Sequence, residues 1–210
     1  DDKVHNINDV KKQVTIPFIG DIPKSKKTQK LISKVDYTPK AEAFRMVRTN
    51  LEFMLQNIEN RAKVIFVTST TSKEGKSHTA TNLALSLSFS EKKVLLVETD
   101  IRVPKATNYL AVDNDFGLTN FIGNHKIEPQ GIIFKHKDNE YFDVIPSGTI
   151  PPNPAELLMS NRVKELFDYA SEKYEYIIVD TAAIGLVTDT LLISKYADLF
   201  IFVAKANYIT

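Results

Sequence analysis

The chain contains no cysteine, which excludes a disulfide framework and a thiolate metal site and fits a reducing compartment. It has no apolar run approaching the about 18 residues needed to cross a bilayer, because Asp180, Asp189, Lys195 and Asp198 interrupt its most hydrophobic region. The opening residues, DDKVHNINDVKK, lack the apolar core of a signal peptide. An excess of one charge is missing too: 27 Lys and Arg against 26 Asp and Glu leave a formal net charge of +1. That balance gives no reason to expect a nucleic-acid partner. There is no internal repeat, and the eight tyrosines are scattered rather than clustered. With 210 residues, 43% hydrophobic and 25% charged, the composition suits one sizeable globular domain and not two large ones. Residue 1 is aspartate, and the last apolar run meets Thr210 without a closing element, so the sequence reads as a piece of a longer chain.

The most informative stretch is Val64 to Asn82, VIFVTSTTSKEGKSHTATN, where a β-branched run feeds a polar loop that opens into a helical pattern. Within it Thr70, Thr71, Ser72, Lys73, Glu74, Gly75, Lys76 and Ser77 fit the phosphate-loop template G-x-x-x-x-G-K-[ST] at all but the first position, where Thr70 stands for glycine. Such a loop curls its backbone N–H groups round a phosphate, and the N-terminus of the next helix, at His78 and beyond, adds its positive end. Gly75 lacks a Cβ that would obstruct this approach. Lys76 is placed for the β and γ phosphates, and the Ser77 hydroxyl for Mg²⁺.

Two further strand ends carry acids. Lys93 to Glu98 is a nearly continuous apolar run followed by Thr99, Asp100, Ile101 and Arg102; Tyr176 to Asp180, YIIVD, has the form of a Walker B strand. In open α/β sheets these strand ends face the ligand, so Asp100 and Asp180 are expected with Ser77 around Mg²⁺. Glu98 or Asp100 is expected to orient an acceptor hydroxyl, and Arg102 either to stabilise charge on the phosphates or to anchor its loop.

Residues 1 to about 36 are read as a linker, with Lys24, Lys26, Lys27, Lys30 and Lys34 forming a basic stretch that is either solvated or laid against an anionic membrane surface. A domain follows from 37 to 210. It opens with a helix from Lys40, whose Ala43, Phe44, Val47, Leu51, Met54 and Leu55 recur at intervals of three and four. Glu42, Arg45 and Arg48 fall near one face of it: a solvated charged face on spacing alone, or a self-complementary subunit contact. Residues 103 to 140 show turn signals and no regular pattern. A strand at Phe142 to Ile145, a proline-rich loop from Pro146 to Pro154, helices at Ala155 to Met159, Val163 to Ala170 and Thr188 to Tyr196, and a buried strand at Asp198 to Ala204 complete the reading. Strands alternating with helices imply a doubly wound, mostly parallel α/β sheet of the P-loop NTPase type.

From about Ile16 to Thr210 these elements resemble the bacterial tyrosine kinase (BY-kinase) family, the cytoplasmic kinase domains of polysaccharide co-polymerases. TTSKEGKS is similar to that family's phosphate loop, ETDIR to its second acidic motif, IIVDT to its Walker B element, PSGTIPPNPAELL to its proline-rich loop and helix, and EAFRMVR, Glu42 to Arg48, to its E-x-x-R-x-x-R helix. The resemblance implies ATP and Mg²⁺ as cofactors and phosphoryl transfer to tyrosine, mostly on the tyrosine-rich C-terminal tail of a neighbouring subunit. It also implies a homo-oligomeric ring through Glu42, Arg45 and Arg48, a membrane segment or adaptor of a polysaccharide co-polymerase, and an opposing tyrosine phosphatase. The implied place is the cytoplasmic face of the bacterial inner membrane, and the implied role is control of capsular or exopolysaccharide synthesis and export.

Three departures stand out. Glu98 occupies a position usually held by Asp, Thr70 and Lys73 lie in a loop that often carries more glycine, and Thr181, Ala182 and Ala183 replace the usual D-T-P-P continuation. The rival readings are a nucleotide-gated scaffold with little or no kinase chemistry, and a positioning ATPase of the MinD/ParA type. The latter carries a signature lysine at the second phosphate-loop position, which here is Thr71.

Overall fold

Side chains on alternate residues of a strand point to opposite faces, and β1 (Lys63–Ser69) shows what this does in the computed structural model, which describes residues 4–24 and 31–208. Ile65 and Val67 pack on one side of the sheet, with Phe44, Leu51, Leu83 and Leu87. Val64 and Phe66 pack on the other, with Leu118, Phe121, Leu166 and Phe167. Strands covered on both faces must be apolar throughout, and β1, β2 (Val94–Glu98) and β5 (Tyr176–Asp180) are buried along almost their whole length. With β3 (Phe134–Lys135), β4 (Phe142–Ile145) and β6 (Leu199–Val203) they form a six-stranded sheet in the order β3-β4-β2-β5-β1-β6. All neighbours are parallel except β3, which is antiparallel to β4.

One face of the sheet is covered by α2 (Pro39–Met54) and α3 (Lys76–Ser88), and the other by α5 (Leu118–Gly123) and α7 (Asn161–Lys173). α2 begins where Thr38 accepts a hydrogen bond from the Ala41 amide and Pro39 fills the first turn, a position where a missing N–H costs nothing. α3 is buried on nearly every side because α2 and α4 (Ala106–Leu110) pack over it. The parallel order brings the ends of β1, β2 and β5 to one edge, with Glu98 and Val67 both in register with Asp180.

The strands and long helices lie where the sequence places them, but the last strand, expected to be buried, is the edge strand β6 with Phe200 and Phe202 exposed, and four further details depart from expectation. The segment read as a linker contains α1 (Ile7–Gln13), which a capping box between Asn6 and Asp9 starts; Lys26, Lys27 and Lys30 of the basic stretch lie outside the described residues. The segment 103–140, expected to be irregular, holds α4, α5, a 3₁₀ turn at Pro129–Ile132 and β3. The helix expected over Thr188 to Tyr196 is broken at Ile193 (φ −104°, ψ 1°) into α8 (Asp189–Leu192) and a 3₁₀ turn at Ser194–Tyr196, which lets Ile193 enter the core. Met54 ends α2 exposed rather than in its apolar stripe. The remaining helix, α6 (Pro154–Leu158), follows the proline-rich loop as expected.

Candidate nucleotide site

The loop between β1 and α3 is shaped by two residues in the left-handed region, Lys73 (φ 67°) and Gly75 (φ 105°). Turns of this kind direct successive N–H groups to one side and form an anion-binding concavity. A Cβ built on Gly75 would meet nothing within 4 Å, so its backbone φ, rather than crowding, is what calls for glycine there. Lys73 takes up the same region at a cost, as the side chain that stands where glycine was looked for. Glu74 braces the loop from within: its Oε2 accepts a hydrogen bond from the Thr71 amide at 2.7 Å, and the Ser69 hydroxyl donates to the Thr71 carbonyl at 2.7 Å.

Lys76 and Ser77 open α3 beside a cavity of about 460 Å³, whose walls include Ser72, Gly75, His78, Asp100 and Arg102. The Lys76 Nζ lies 2.6 Å from Asp100 Oδ2, 3.5 Å from Ser77 Oγ and 3.9 Å from Asp180 Oδ1. Burial works against its charge, but the carboxylates of Asp180 and Asp100 outweigh burial and hold its pKa above the ordinary lysine value. Asp180 is fully buried, and neither of its carboxylate oxygens accepts a hydrogen bond among the described residues. Burial pushes its pKa up to about 7 despite the pull of Lys76. An ionisable group kept in this way at the end of a central strand, with Lys76 and the Ser77 hydroxyl near it but no hydrogen bond closed, is a vacant ligand in chemical terms.

The test of fit for a nucleotide and a divalent cation therefore rests on two features, the unsatisfied Asp180 carboxylate and the glycine-opened cradle beside Lys76. Among the described residues no three His, Asp or Glu side chains are grouped closely enough to hold a metal. Asp100, Asp180 and the Ser77 hydroxyl would thus need phosphate oxygens and water to complete an octahedral Mg²⁺ shell.

Glu98 does not serve as expected. It points away from the cavity and accepts from the Lys105 and Ala106 amides at 2.6 Å each, from the Thr107 hydroxyl at 3.2 Å and from the Ser147 amide at 3.4 Å. It is a long-range cap for α4, with every acceptor position occupied; burial nevertheless raises its pKa. Replacing it with alanine strands two helix-start amides, one of them buried, and we expect Glu98→Ala to lose about 2 kcal/mol of stability in urea unfolding. An unchanged midpoint would contradict the capping role. Of the two roles left open for Arg102, the geometry supports anchoring: its Nε and Nη2 grip the buried Asp189 of α8 at 2.7 and 3.2 Å, while the side chain still borders the cavity.

The loop after β5 is held without proline. The Ala182 carbonyl receives hydrogen bonds from the hydroxyls of Thr190 (2.8 Å) and Thr68 (3.1 Å), while the Thr181 hydroxyl donates to the Val67 carbonyl at 3.0 Å. Tyr109, Leu186 and Val187 also border the cavity, and sequence reasoning did not find them. Nothing local marks Tyr109, which stacks edge-on against His78 with centroids 6.0 Å apart. Tyr174 and Tyr176 are tied into the structure: the Tyr174 hydroxyl donates to Asp143 at 2.7 Å, and Tyr176 is buried in β5.

The helix carrying Glu42, Arg45 and Arg48 divides its charges. Glu42 is exposed and pairs with Arg45 on the same helix. Arg48 turns inward, donating to the Ser86 carbonyl near the end of α3 at 2.9 Å. The expectation that all three share one outward face therefore fails at Arg48, because the C-terminal carbonyls of α3 attract a cation.

A family model described as an AAA domain matches residues 62–209. Tyrosine-protein kinase YwqD of Bacillus subtilis is 37% identical over 158 residues, which cover 75% of this chain and 65% of that protein. The solved kinase domain of Escherichia coli tyrosine kinase ETK superposes with a TM-score of 0.82 at 30% identity, covering 93% of this chain and 80% of that one. The septum site-determining protein MinD of Pyrococcus horikoshii, solved with Mg-ADP, is more distant: TM-score 0.55 and 22% identity, covering 68% of this chain and 57% of that one. That last likeness is one of fold. The chain spans less than two thirds of the length of the curated kinases YwqD and etk.

Proposed function

This chain belongs to the bacterial tyrosine kinase family, within the AAA domain fold, and we propose that it binds ATP with Mg²⁺ and transfers the γ-phosphoryl group to tyrosine. The observation that carries the reading is the arrangement at one sheet edge of a phosphate loop, Lys76, and the unsatisfied carboxylate of Asp180. Bound Mg²⁺ would neutralise charge on the β and γ phosphates. The chain's own residues do the rest. The amides from Thr70 to Ser77 cradle the phosphates, with His78 continuing the helix start behind them. Lys76 exchanges its Asp100 contact for phosphate oxygens, a stronger counter-charge, which releases Asp100 Oδ2 toward the acceptor hydroxyl. Glu98 is assigned to holding α4 rather than to base chemistry, so Glu98→Gln, which keeps an oxygen for the Lys105 and Ala106 amides, stays within about tenfold of wild type in transfer.

The acceptor in this reading is a tyrosine-rich C-terminal tail of a neighbouring subunit in a homo-oligomeric ring, with Glu42 and Arg45 at the contact and a tyrosine phosphatase opposing the reaction. The setting is the cytoplasmic face of the bacterial inner membrane, beside the membrane segment or adaptor of a polysaccharide co-polymerase, and the process controlled is capsular or exopolysaccharide synthesis and export. Among the described residues no helix is long and apolar enough to cross a membrane. The deciding experiment is detection of phosphotyrosine on the full-length chain after incubation with ATP and Mg²⁺. Nucleotide binding with no phosphotyrosine at any subunit concentration would support the scaffold reading instead.

A further inference from the structure

The entrance to the phosphate loop is gripped from the side by a segment that does not belong to it. After β5 the chain runs on alongside the end of β1 in the same direction, and three of its amides donate to successive parts of the strand and loop: Thr181 to the Val67 carbonyl at 3.2 Å, Ile184 to the Ser69 carbonyl at 3.0 Å, and Gly185 to the Thr70 carbonyl at 3.0 Å. The last contact is possible because position 185 has no side chain. A Cβ built there would lie 2.4 Å from the Thr70 carbonyl oxygen and 3.3 Å from its carbon and its Cγ2. The obstructing atoms are backbone, so relief requires one of the two loops to move.

Thr70 is the first residue of the eight-residue phosphate-loop motif, and the neighbours of Gly185 reach the same cavity, with Ala182, Ala183, Leu186 and Val187 forming its wall opposite Lys76. The other end of the clasping segment is fixed by the Thr68 and Thr190 hydroxyls on the Ala182 carbonyl and by the Thr181 hydroxyl on the Val67 carbonyl. A displacement forced at Gly185 therefore falls on the Thr70 side.

We propose that Gly185 is a positioning residue for nucleotide binding, its bare α-carbon letting the loop after β5 clasp the Thr70 carbonyl and hold the entrance of the phosphate loop in its cradling shape. The role rests on the nucleotide-binding reading above. It assigns to the segment following the Walker B aspartate a task separate from metal binding. A cradle acts by preorganisation, so a small shift of its backbone weakens affinity far more than it weakens the fold.

The test is titration of Mg-ATP into the full-length chain by calorimetry. Gly185→Ala is expected to weaken binding by at least about tenfold, while Gly123→Ala, where an added Cβ meets nothing within 4 Å, binds as wild type does. The double variant Thr70→Gly/Gly185→Ala regains part of the loss, because glycine at 70 lets the carbonyl rotate away. Hydrogen exchange on the wild-type chain gives a second readout, independent of any variant's folding. Mg-ATP should slow exchange at Ile184 and Gly185 together with 70–77, since the two loops open as one unit. Equal affinity of Gly185→Ala and wild type would overturn the inference, as would protection of 70–77 without any change at 184–185. A wild-type chain that binds no Mg-ATP would overturn the nucleotide reading and this inference with it.

Discussion

Lys76→Met is expected to lower tyrosine phosphorylation by about three orders of magnitude and to lower the melting temperature of the ligand-free protein by about 10 °C. The first effect follows from losing the cation that the proposed function assigns to the β and γ phosphates. The second is a revision forced by the structure, because the motif alone suggests a change that abolishes transfer and leaves the fold intact. Lys76 is buried and neutralises Asp100 at 2.6 Å and Asp180 at 3.9 Å, and removing one member of a buried charge group costs about 3 kcal/mol or more. Melting curves at pH 8 and pH 5 provide the check. At the lower pH the stranded carboxylates take up protons, and the deficit should shrink. Wild-type phosphorylation, or a wild-type melting curve at pH 8, would show that Lys76 is misassigned.

Asp180→Asn should produce opposite effects on the free and the loaded protein. The folded state holds the Asp180 proton up to about pH 7, whereas an unfolded aspartate releases it near 3.8. The folded state therefore binds more protons between these values, so this residue's contribution to stability falls as pH rises from about 4 to about 7 and is level above that. The full penalty is bounded by about 4 kcal/mol. Asparagine removes the titration, so the free variant should be more stable than wild type at pH 8 and match it near pH 4. With Mg-ATP present the order reverses, since the charged carboxylate, as the proposed cation ligand, gains more from ligand linkage than a neutral amide does. Equal gains from Mg-ATP in both proteins would place the metal elsewhere.

The sheet was legible in the sequence because its central strands are apolar on both faces, and two of them end in acids, KVLLVE and YIIVD. The phosphate loop was legible because its chemistry fixes the spacing of Gly75, Lys76 and Ser77. What could not be read depends on partners far away in the chain. α4 has five residues and no local side-chain cap; its start is made by Glu98, seven residues earlier at a strand end. The same fact hid the role of Glu98, which by position looked like a group that orients the acceptor hydroxyl. Arg102 finds Asp189 across 87 residues, and Arg48 finds Ser86 across 38. Neither pairing leaves a trace in spacing along the chain. α1 did carry a signal, Asn6 with Asp9 three residues later, which was masked by the polar character of the segment around it.

Asp180 sits opposite Glu98 on one neighbouring strand and Val67 on the other. The corner that would hold the metal is thereby indexed by the ladder of the three innermost strands, not by the length of any connection. A one-residue slip of β5 would turn the carboxylate to the wrong face, whereas Leu186 and Val187, which border the cavity, lie outside that ladder. Descendants of such a scaffold can remodel what they admit to the cavity while their phosphate chemistry stays in tune.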